Sequence, residues 1–238
     1  MASERLDKII ANYTSITRTQ ARKLIVGGKV TVDGVVMKKP EAKTDPECAV
    51  IKTEDTTINA KRHLYIMMNK PAGVISASRD NNATTVIDLL PEHLQRKNLF
   101  PAGRLDKDTE GLLIITDDGE FAHRLLSPKS KVNKVYIARV DNTLTENEIK
   151  LFADGVQLKD GTKCLPAKMT LLSDTVAEVQ IYEGKYHQIK RMFAAVGFQV
   201  LSLQRIRIGQ LSLPDNLSKS QVRELKIEEI ELLCENDR

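Results

Sequence analysis

The sequence predicts an α+β protein: a small helix, helix, hairpin unit over residues 1–60, then a larger domain over residues 61–238 with a mixed, largely antiparallel sheet flanked by helices. Three observations carry this. Apolar residues repeat at helical spacing near the start of the chain and, in several segments beyond residue 60, at period two, which separates amphipathic helix from half-buried strand. Strand-like segments outnumber helical ones and follow one another without the strict alternation of a doubly wound fold. The 238 residues are 41% hydrophobic and 29% charged, an ordinary globular composition with enough length to bury a core.

Leu6, Ile9, Ile10 and Tyr13 fall at i, i+3, i+4 and i+7, so residues 3–13 read as an amphipathic helix with Ser3 available as its N-cap. Thr17 and Gln20 have capping-box spacing, Ala21, Leu24 and Ile25 make the next apolar stripe, and Gly27-Gly28 stops that helix. Lys29-Val30-Thr31-Val32 and Val35-Val36-Met37-Lys38 flank Asp33-Gly34, a two-residue hairpin turn that accepts positive φ. The polar stretch from Thr53 to Lys61 has no period and reads as a linker. Beyond it, strands are expected at 64–68, 112–116, 132–140, 176–182 and 200–208, and helices around 119–126, 145–154 and 187–196. Asp117-Asp118-Gly119 reads as the turn into the first of those helices.

No apolar run approaches the roughly 18 residues of a membrane-spanning helix. Met1-Ala2-Ser3-Glu4-Arg5 lacks the apolar stretch of a secretory signal, so the expectation is a cytoplasmic chain that works away from membranes. Cys48, Cys164 and Cys234 are odd in number and far apart, which offers neither a disulfide framework nor a metal-binding pair. The net charge is only +4, but three windows hold basic residues and no acid. They are Lys8 to Val32 (with Arg18, Arg22, Lys23 and Lys29), Phe121 to Val140 (Arg124, Lys129, Lys131, Lys134, Arg139) and Gly184 to Leu213 (Lys185, Lys190, Arg191, Arg205, Arg207). Such windows in a weakly basic chain favour a polyanionic partner, with nucleic acid first. Arg18, Arg22 and Lys23 lie away from, or at the edge of, the apolar stripe of the second helix and have no acid at i,i+4, so they are candidate RNA contacts.

The densest polar stretch beside a buried-looking strand runs from Pro101 to Gly111, where function tends to concentrate. Asp106, Asp108, Glu110, Gly111 and Asp117 mimic the spacing of a calcium loop. The last ligand position is Asp rather than Glu, however, and Pro101 and Gly103 sit where an entering helix would end, so calcium is a distant reading. His63, His93, His123 and His187 are dispersed, and no phosphate-cradling glycine loop or nucleophile elbow occurs. No metal and no cofactor are expected. Cofactor-free carboxylate chemistry on a nucleic acid is left.

Gly103-Arg104-Leu105-Asp106 followed by Thr109-Glu110-Gly111-Leu112 resembles the R-L-D-x-x-[TS]-x-G-L signature of the pseudouridine synthases. Asn69-Lys70-Pro71-Ala72-Gly73, Lys134-Val135-Tyr136, and the block from Glu183 to Phe193 agree in order and spacing with the RsuA branch of that superfamily. The first 60 residues resemble the alpha-L RNA-binding motif, so the resemblance covers essentially the whole chain. It implies an alpha-L RNA-binding domain at 1–60 and a catalytic domain of pseudouridine synthase fold at 61–238.

The activity implied is isomerisation of one uridine in 16S ribosomal RNA, without a cofactor. Breaking N1–C1′, turning the base and joining C5 to C1′ needs neither redox agent nor energy source. By the resemblance Asp106 is the catalytic group, attacking the ribose or taking a proton from it; a free aspartate is already the anion at neutral pH. Lys190 matches the family's basic partner, commonly Arg, and Arg191 is a stand-in because Lys lacks the bidentate fork. Tyr136 matches the active-site tyrosine, suited to stacking on a flipped uracil. Arg104 would fill the vacated stack or hold a phosphate, Ile189 would form an apolar wall, and Asn69 and Lys70 would support the catalytic loop. The expected partner is small-subunit ribosomal RNA or an assembly intermediate containing it, with the protein acting as a monomer. The alternatives are a large-subunit (23S) enzyme of the same branch and a non-catalytic RNA-binding or ribosome-assembly factor.

Overall fold

The computed structural model describes residues 3–14, 16–46, 49–53, 56–58 and 63–235. Cys48 and most of the expected linker, residues 54, 55 and 59–61, lie outside the described residues. The chain forms two compact units: Met1–Leu64 with Ile87–Phe100, and Tyr65–Val86 with Pro101–Arg238.

In the first unit the elements are β1 (Glu4–Arg5), α1 (Leu6–Tyr13), α2 (Arg18–Val26), β2 (Val30–Val32), β3 (Val35–Met37), β4 (Lys43–Thr44), β5 (Ile51–Thr53) and β6 (Thr57–Ile58). The first helix begins later than its apolar spacing suggests, because Glu4 and Arg5 pair with Thr44 and Lys43 in a short ladder. Its N-cap is therefore Arg5, which makes no side-chain cap bond, and not Ser3. Both halves of the Thr17/Gln20 capping box are present on α2. Asp33 and Gly34 turn the β2–β3 hairpin with φ of 51° and 83°. Ile51–Thr53 and Thr57–Ile58 form a second antiparallel pair, so part of the stretch expected as linker belongs to a four-stranded sheet of order β3-β2-β5-β6. Leu6, Ile9, Ile10, Ala21, Ile25, Val30, Ile51 and Ile58 fill one core. Residues 87–100 join this unit although they lie far along the chain, and the Arg96 guanidinium sits 5.0 Å from the Tyr13 ring centroid.

From Tyr65 onward come β7 (Tyr65–Lys70), β8 (Phe100–Pro101), β9 (Glu110–Thr116), α3 (Gly119–Leu126), β10 (Lys134–Val140), α4 (Glu146–Asp154), β11 (Lys168–Ser173), β12 (Val176–Ile181), α5 (Gln188–Ala195), β13 (Val200–Ile208), β14 (Leu211–Ser212), β15 (Val222–Glu224) and α6 (Ile227–Leu232). The main sheet runs β11-β12-β10-β13-β9-β7-β15. Along that path β13 and β9 pair in parallel and the other neighbours are antiparallel, the mixed sheet that the sequence predicts. Strands β7 and β9 are buried along nearly their whole length, which is why they read as continuous apolar runs without alternation. The parallel junction aligns Arg205 with Gly111. Gly111 has φ of 101°, and a Cβ there would lie 2.2 Å from the Arg205 carbonyl oxygen, so only glycine fits. This contact fixes where the polar loop before β9 leaves the sheet. Among the described residues no helix is long and apolar enough to cross a membrane.

Candidate active site

The loop from Gly103 to Thr109 has no regular structure of its own, and its backbone is held from beneath. Lys70, the last residue of β7, is fully buried. Its Nζ donates to the carbonyl oxygens of Pro71 (3.0 Å), Asp106 (3.1 Å), Lys107 (3.3 Å) and Thr109 (2.9 Å). Burial pushes this ammonium down to about 8 against the pull of Asp108, Asp106 and Glu110. The Gly73 amide donates to the Lys107 carbonyl at 2.7 Å. Ser76 Oγ donates to Leu105 O at 2.9 Å and accepts from Leu105 N at 3.1 Å. Four carbonyls turned towards one buried cation make a rigid platform, the support that a precise site requires.

On that platform the Asp106 carboxylate stands 25% exposed, with one nitrogen at each oxygen. His187 Nε2 is 3.3 Å from Oδ1 and Lys190 Nζ is 3.3 Å from Oδ2. Lys190 also pairs with Asp108 and holds that carboxyl below the usual range. Both nitrogens come from the start of α5, where His187 is the N-cap in a left-handed conformation, φ 47° and ψ 36°. That conformation is unusual for a residue with a side chain, and it places the ring over the loop. The exposed Tyr186 ring stacks on His187 at 3.8 Å between centroids.

A cavity of about 830 Å³ opens beside Asp106. Arg104, Asp106 and Lys107 line it, as do Tyr186 and His187, the polar Lys134, Tyr136 and Arg205, and the apolar side chains of Ile181, Ile189 and Leu203. Lys134 and Tyr136 are two residues apart on β10, and Tyr136 is in register with Arg205 on β13. Burial, with Arg205 nearby, pushes the Lys134 ammonium down to about 8.

Of the residues singled out from the sequence, Asp106, Tyr136, Arg104 and Ile189 line this cavity, and Lys190 touches the Asp106 carboxylate. Arg191 points to a different partner, the carboxylate of Asp160, and neither lines the cavity. The calcium-like spacing has a different fate: Glu110–Thr116 is a strand, so most of that spacing runs along extended chain and does not wrap a common centre. In the first unit Arg18 and Arg22 do have an acid, which lies just before the acid-free window. The buried Asp7 carboxylate receives Arg5 (3.1 Å), Arg18 (3.1 Å) and Arg22 (3.6 Å) and is held down to about 2. Both guanidiniums still expose more than half of their side chains, and Lys23 is exposed. Sequence reasoning gave no role to His187, Lys134 or Arg205. The signal for the last two was a basic residue on the buried face of a strand, within the acid-free windows.

Residues 64–195 match the RNA pseudouridylate synthase family, and residues 4–47 match the S4 domain. The chain belongs to the RNA pseudouridylate synthase family. Within it the chain is RsuA-like. It is 40% identical to the ribosomal small subunit pseudouridine synthase A of Escherichia coli (strain K12), over 95% of this chain and 98% of that one. It is equally 40% identical to the uncharacterized RNA pseudouridine synthase YtzG of Bacillus subtilis (strain 168), over 97% of this chain and 98% of that one. A crystal structure of a pseudouridylate synthase shares the fold with a TM-score of 0.68 and 36% identity, covering 97% of this chain and all of that one. The expected α+β architecture, with an RNA-binding domain before a pseudouridine synthase domain, is thus the one found.

Proposed function

We propose that this protein isomerises one uridine of small-subunit (16S) ribosomal RNA to pseudouridine, with the RNA or a partly assembled particle as substrate. The observation that carries the chemistry is the Asp106 carboxylate, bracketed at 3.3 Å by His187 and Lys190 at the wall of a cavity of about 830 Å³. That volume suits a single nucleotide turned out of its stack, at a cost of about a few kcal/mol. Asp106 then either attacks C1′ or takes the C2′ proton, and Lys190, 3.3 Å from Oδ2, keeps its carboxylate aimed. Tyr136 stacks on the uracil, Ile189 walls the pocket, and the exposed Arg104 takes the flanking phosphate or the vacated stack. Arg191 is paired with Asp160 away from the cavity and takes no part in the chemistry.

RNA choice rests on the N-terminal unit, where Arg18, Arg22 and Lys23 meet phosphates. Asp7 cancels one of the three guanidinium charges of Arg5, Arg18 and Arg22, which leaves the group cationic while fixing its geometry. The small-subunit assignment is supported by near-full-length similarity to enzymes named for that subunit. Its test is to map pseudouridines in both ribosomal RNAs from cells lacking the protein. Loss of one site in 16S RNA, restored by the wild-type chain, is expected. Loss of a site in 23S RNA would move the substrate to the large subunit. Intact modification everywhere would point to an assembly role.

A further inference from the structure

One buried cation beside Tyr136 is not used by the chemistry proposed for Asp106. Arg205 is 3% exposed, in register with Tyr136 across β13 and β10, and lines the same cavity. Its Nε donates to the Leu112 carbonyl at 2.8 Å, which ties it to β9 directly after the catalytic loop. Its Nη1 donates to Tyr136 Oη at 3.4 Å, and its Cζ lies 5.9 Å from the Tyr136 ring centroid. Its Nη2 is buried without a hydrogen-bond partner, and no described carboxylate pairs with the guanidinium. Burying a charge without an opposite charge or a full set of acceptors is costly. A second cation, Lys134, lines the same cavity and spends a hydrogen bond on the Val132 carbonyl at 2.8 Å. This region is therefore built positive, around a polar hydroxyl.

The direction of the Arg205–Tyr136 bond adds a second constraint. Arginine can only donate, so Tyr136 Oη accepts there. The phenolic proton is left to donate elsewhere, and Tyr136 lines the cavity.

We infer that Arg205 is a positioning residue for the departing base: it fixes Tyr136 as a hydrogen-bond donor to a uracil carbonyl oxygen and, with Lys134, meets the negative charge that the uracil acquires when N1–C1′ breaks. In that step the bonding pair goes to N1 and spreads over the ring oxygens. C1′ gains the Asp106 oxygen, or Asp106 takes the C2′ proton. C5 then bonds to C1′, the carboxylate leaves with its pair or returns the C2′ proton, C5 loses its proton to solvent, and N1 gains one. Atoms and charge balance with no redox partner. Preorganised donors aimed at charge that develops only during reaction act on the rate and leave RNA affinity unchanged.

The inference rests on the proposed reaction, and its test separates the two. Tritium release from C5 of uridine in ribosomal RNA is measured in single turnover for Arg205→Met, Arg205→Lys, Tyr136→Phe and the Arg205→Met/Tyr136→Phe double variant, beside RNA binding and circular dichroism. Arg205→Met is expected to lose about 10²–10³-fold in rate, the range for one such donor, with RNA binding unchanged within about threefold. Arg205→Lys is expected to regain part of the loss, and the double variant to lose little more than either single one. Fluorine at C5 spreads charge on the leaving base, so on 5-fluorouridine RNA the Arg205→Met defect in glycosidic cleavage, followed by mass spectrometry, is expected to shrink by about tenfold or more. Multiplying losses, an equal defect on both substrates, or an Arg205→Met rate close to wild type overturns the inference. If Arg205→Met does not fold, Arg205→Lys and Tyr136→Phe on the two substrates decide the question in the same way. Full turnover by Asp106→Asn would overturn the reaction itself; an inactive Asp106→Asn beside a fully active Arg205→Met would overturn only the role of Arg205.

Discussion

Lys70 Nζ lies 3.1 Å from the Asp106 carbonyl oxygen, so the residue proposed to act on the ribose is held through its backbone by a cation at the end of β7 while its carboxylate faces His187 and Lys190. Three more carbonyls share that ammonium. Lys70→Met keeps the volume but leaves the Pro71 and Thr109 carbonyls without this donor, while the Lys107 carbonyl keeps the Gly73 amide and the Asp106 carbonyl keeps the Thr109 amide. Each unmet carbonyl costs about 1–3 kcal/mol if it stays dry. The loop is expected to loosen, with single-turnover rate falling by about two orders of magnitude or more, and with RNA binding nearly intact. Wild-type rates in that variant would show that the platform does not set the position of Asp106.

The same burial has a pH signature. Lys70 and Lys134 are pushed to about 8, below the value of about 10.4 for a free lysine. Between these limits the unfolded chain binds more protons than the folded one. The contribution of these groups to stability therefore rises with pH across that window. Activity is expected to move the opposite way, because the protonated donors are lost above about pH 8. Denaturation midpoints and single-turnover rates between pH 7 and 10 test this, and a flat rate profile would contradict it.

In the first unit, Asp7 is held down to about 2 by Arg5 and Arg18, so its stabilisation is present above about pH 4 and lost as pH falls through 2. Asp7→Asn is expected to cost about 1–3 kcal/mol at pH 7, and the gap to wild type should close in acid. Urea titrations at pH 7 and pH 2 give both ends.

Arg18→Ala with Arg22→Ala is expected to weaken RNA binding and reduce its salt dependence by about one counterion per charge removed. Turnover of RNA already bound should be unaffected. An unchanged salt slope would exclude both side chains as phosphate contacts.

Gly111→Ala places a Cβ 2.2 Å from the Arg205 carbonyl on a backbone with φ of 101°. Neither can yield without opening the parallel β9–β13 junction. A loss of at least about 3 kcal/mol in equilibrium unfolding is expected, and a stable Gly111→Ala protein would disprove that close approach.

Much of this was legible in the chain. Capping at Thr17, the Asp33-Gly34 turn and the strands at 112–116 and 200–208 are local in origin, so periodicity and turn chemistry find them. What escaped depends on distant partners. Glu4–Arg5 becomes a strand because Lys43–Thr44 lies beside it, and 87–100 joins the first unit through its packing. Val222–Glu224 is strand because β7 lacks another neighbour on that side. Asp106, Tyr136 and Lys190 were singled out by motif order, and the structure places the first two on one cavity with Lys190 against Asp106. His187 and Arg205 matter by position, one through a left-handed turn and the other through an absent counter-charge, and neither property shows in a residue's identity. Arg18 and Arg22 looked unpaired because Asp7 reaches them across a helix boundary and not along one helix.

The proposed isomerisation depends on the Asp106 carboxylate. Asp106→Asn keeps the side chain's size, and its single amide oxygen can still accept from one of Lys190 and His187, so its fold and RNA affinity should stay close to wild type. Single-turnover release of tritium from C5 of uridine in small-subunit ribosomal RNA measures the chemistry alone. Wild type is expected to release label from one site per RNA, and Asp106→Asn to bind the same RNA and release none. Label released by Asp106→Asn at the wild-type rate would contradict the assignment.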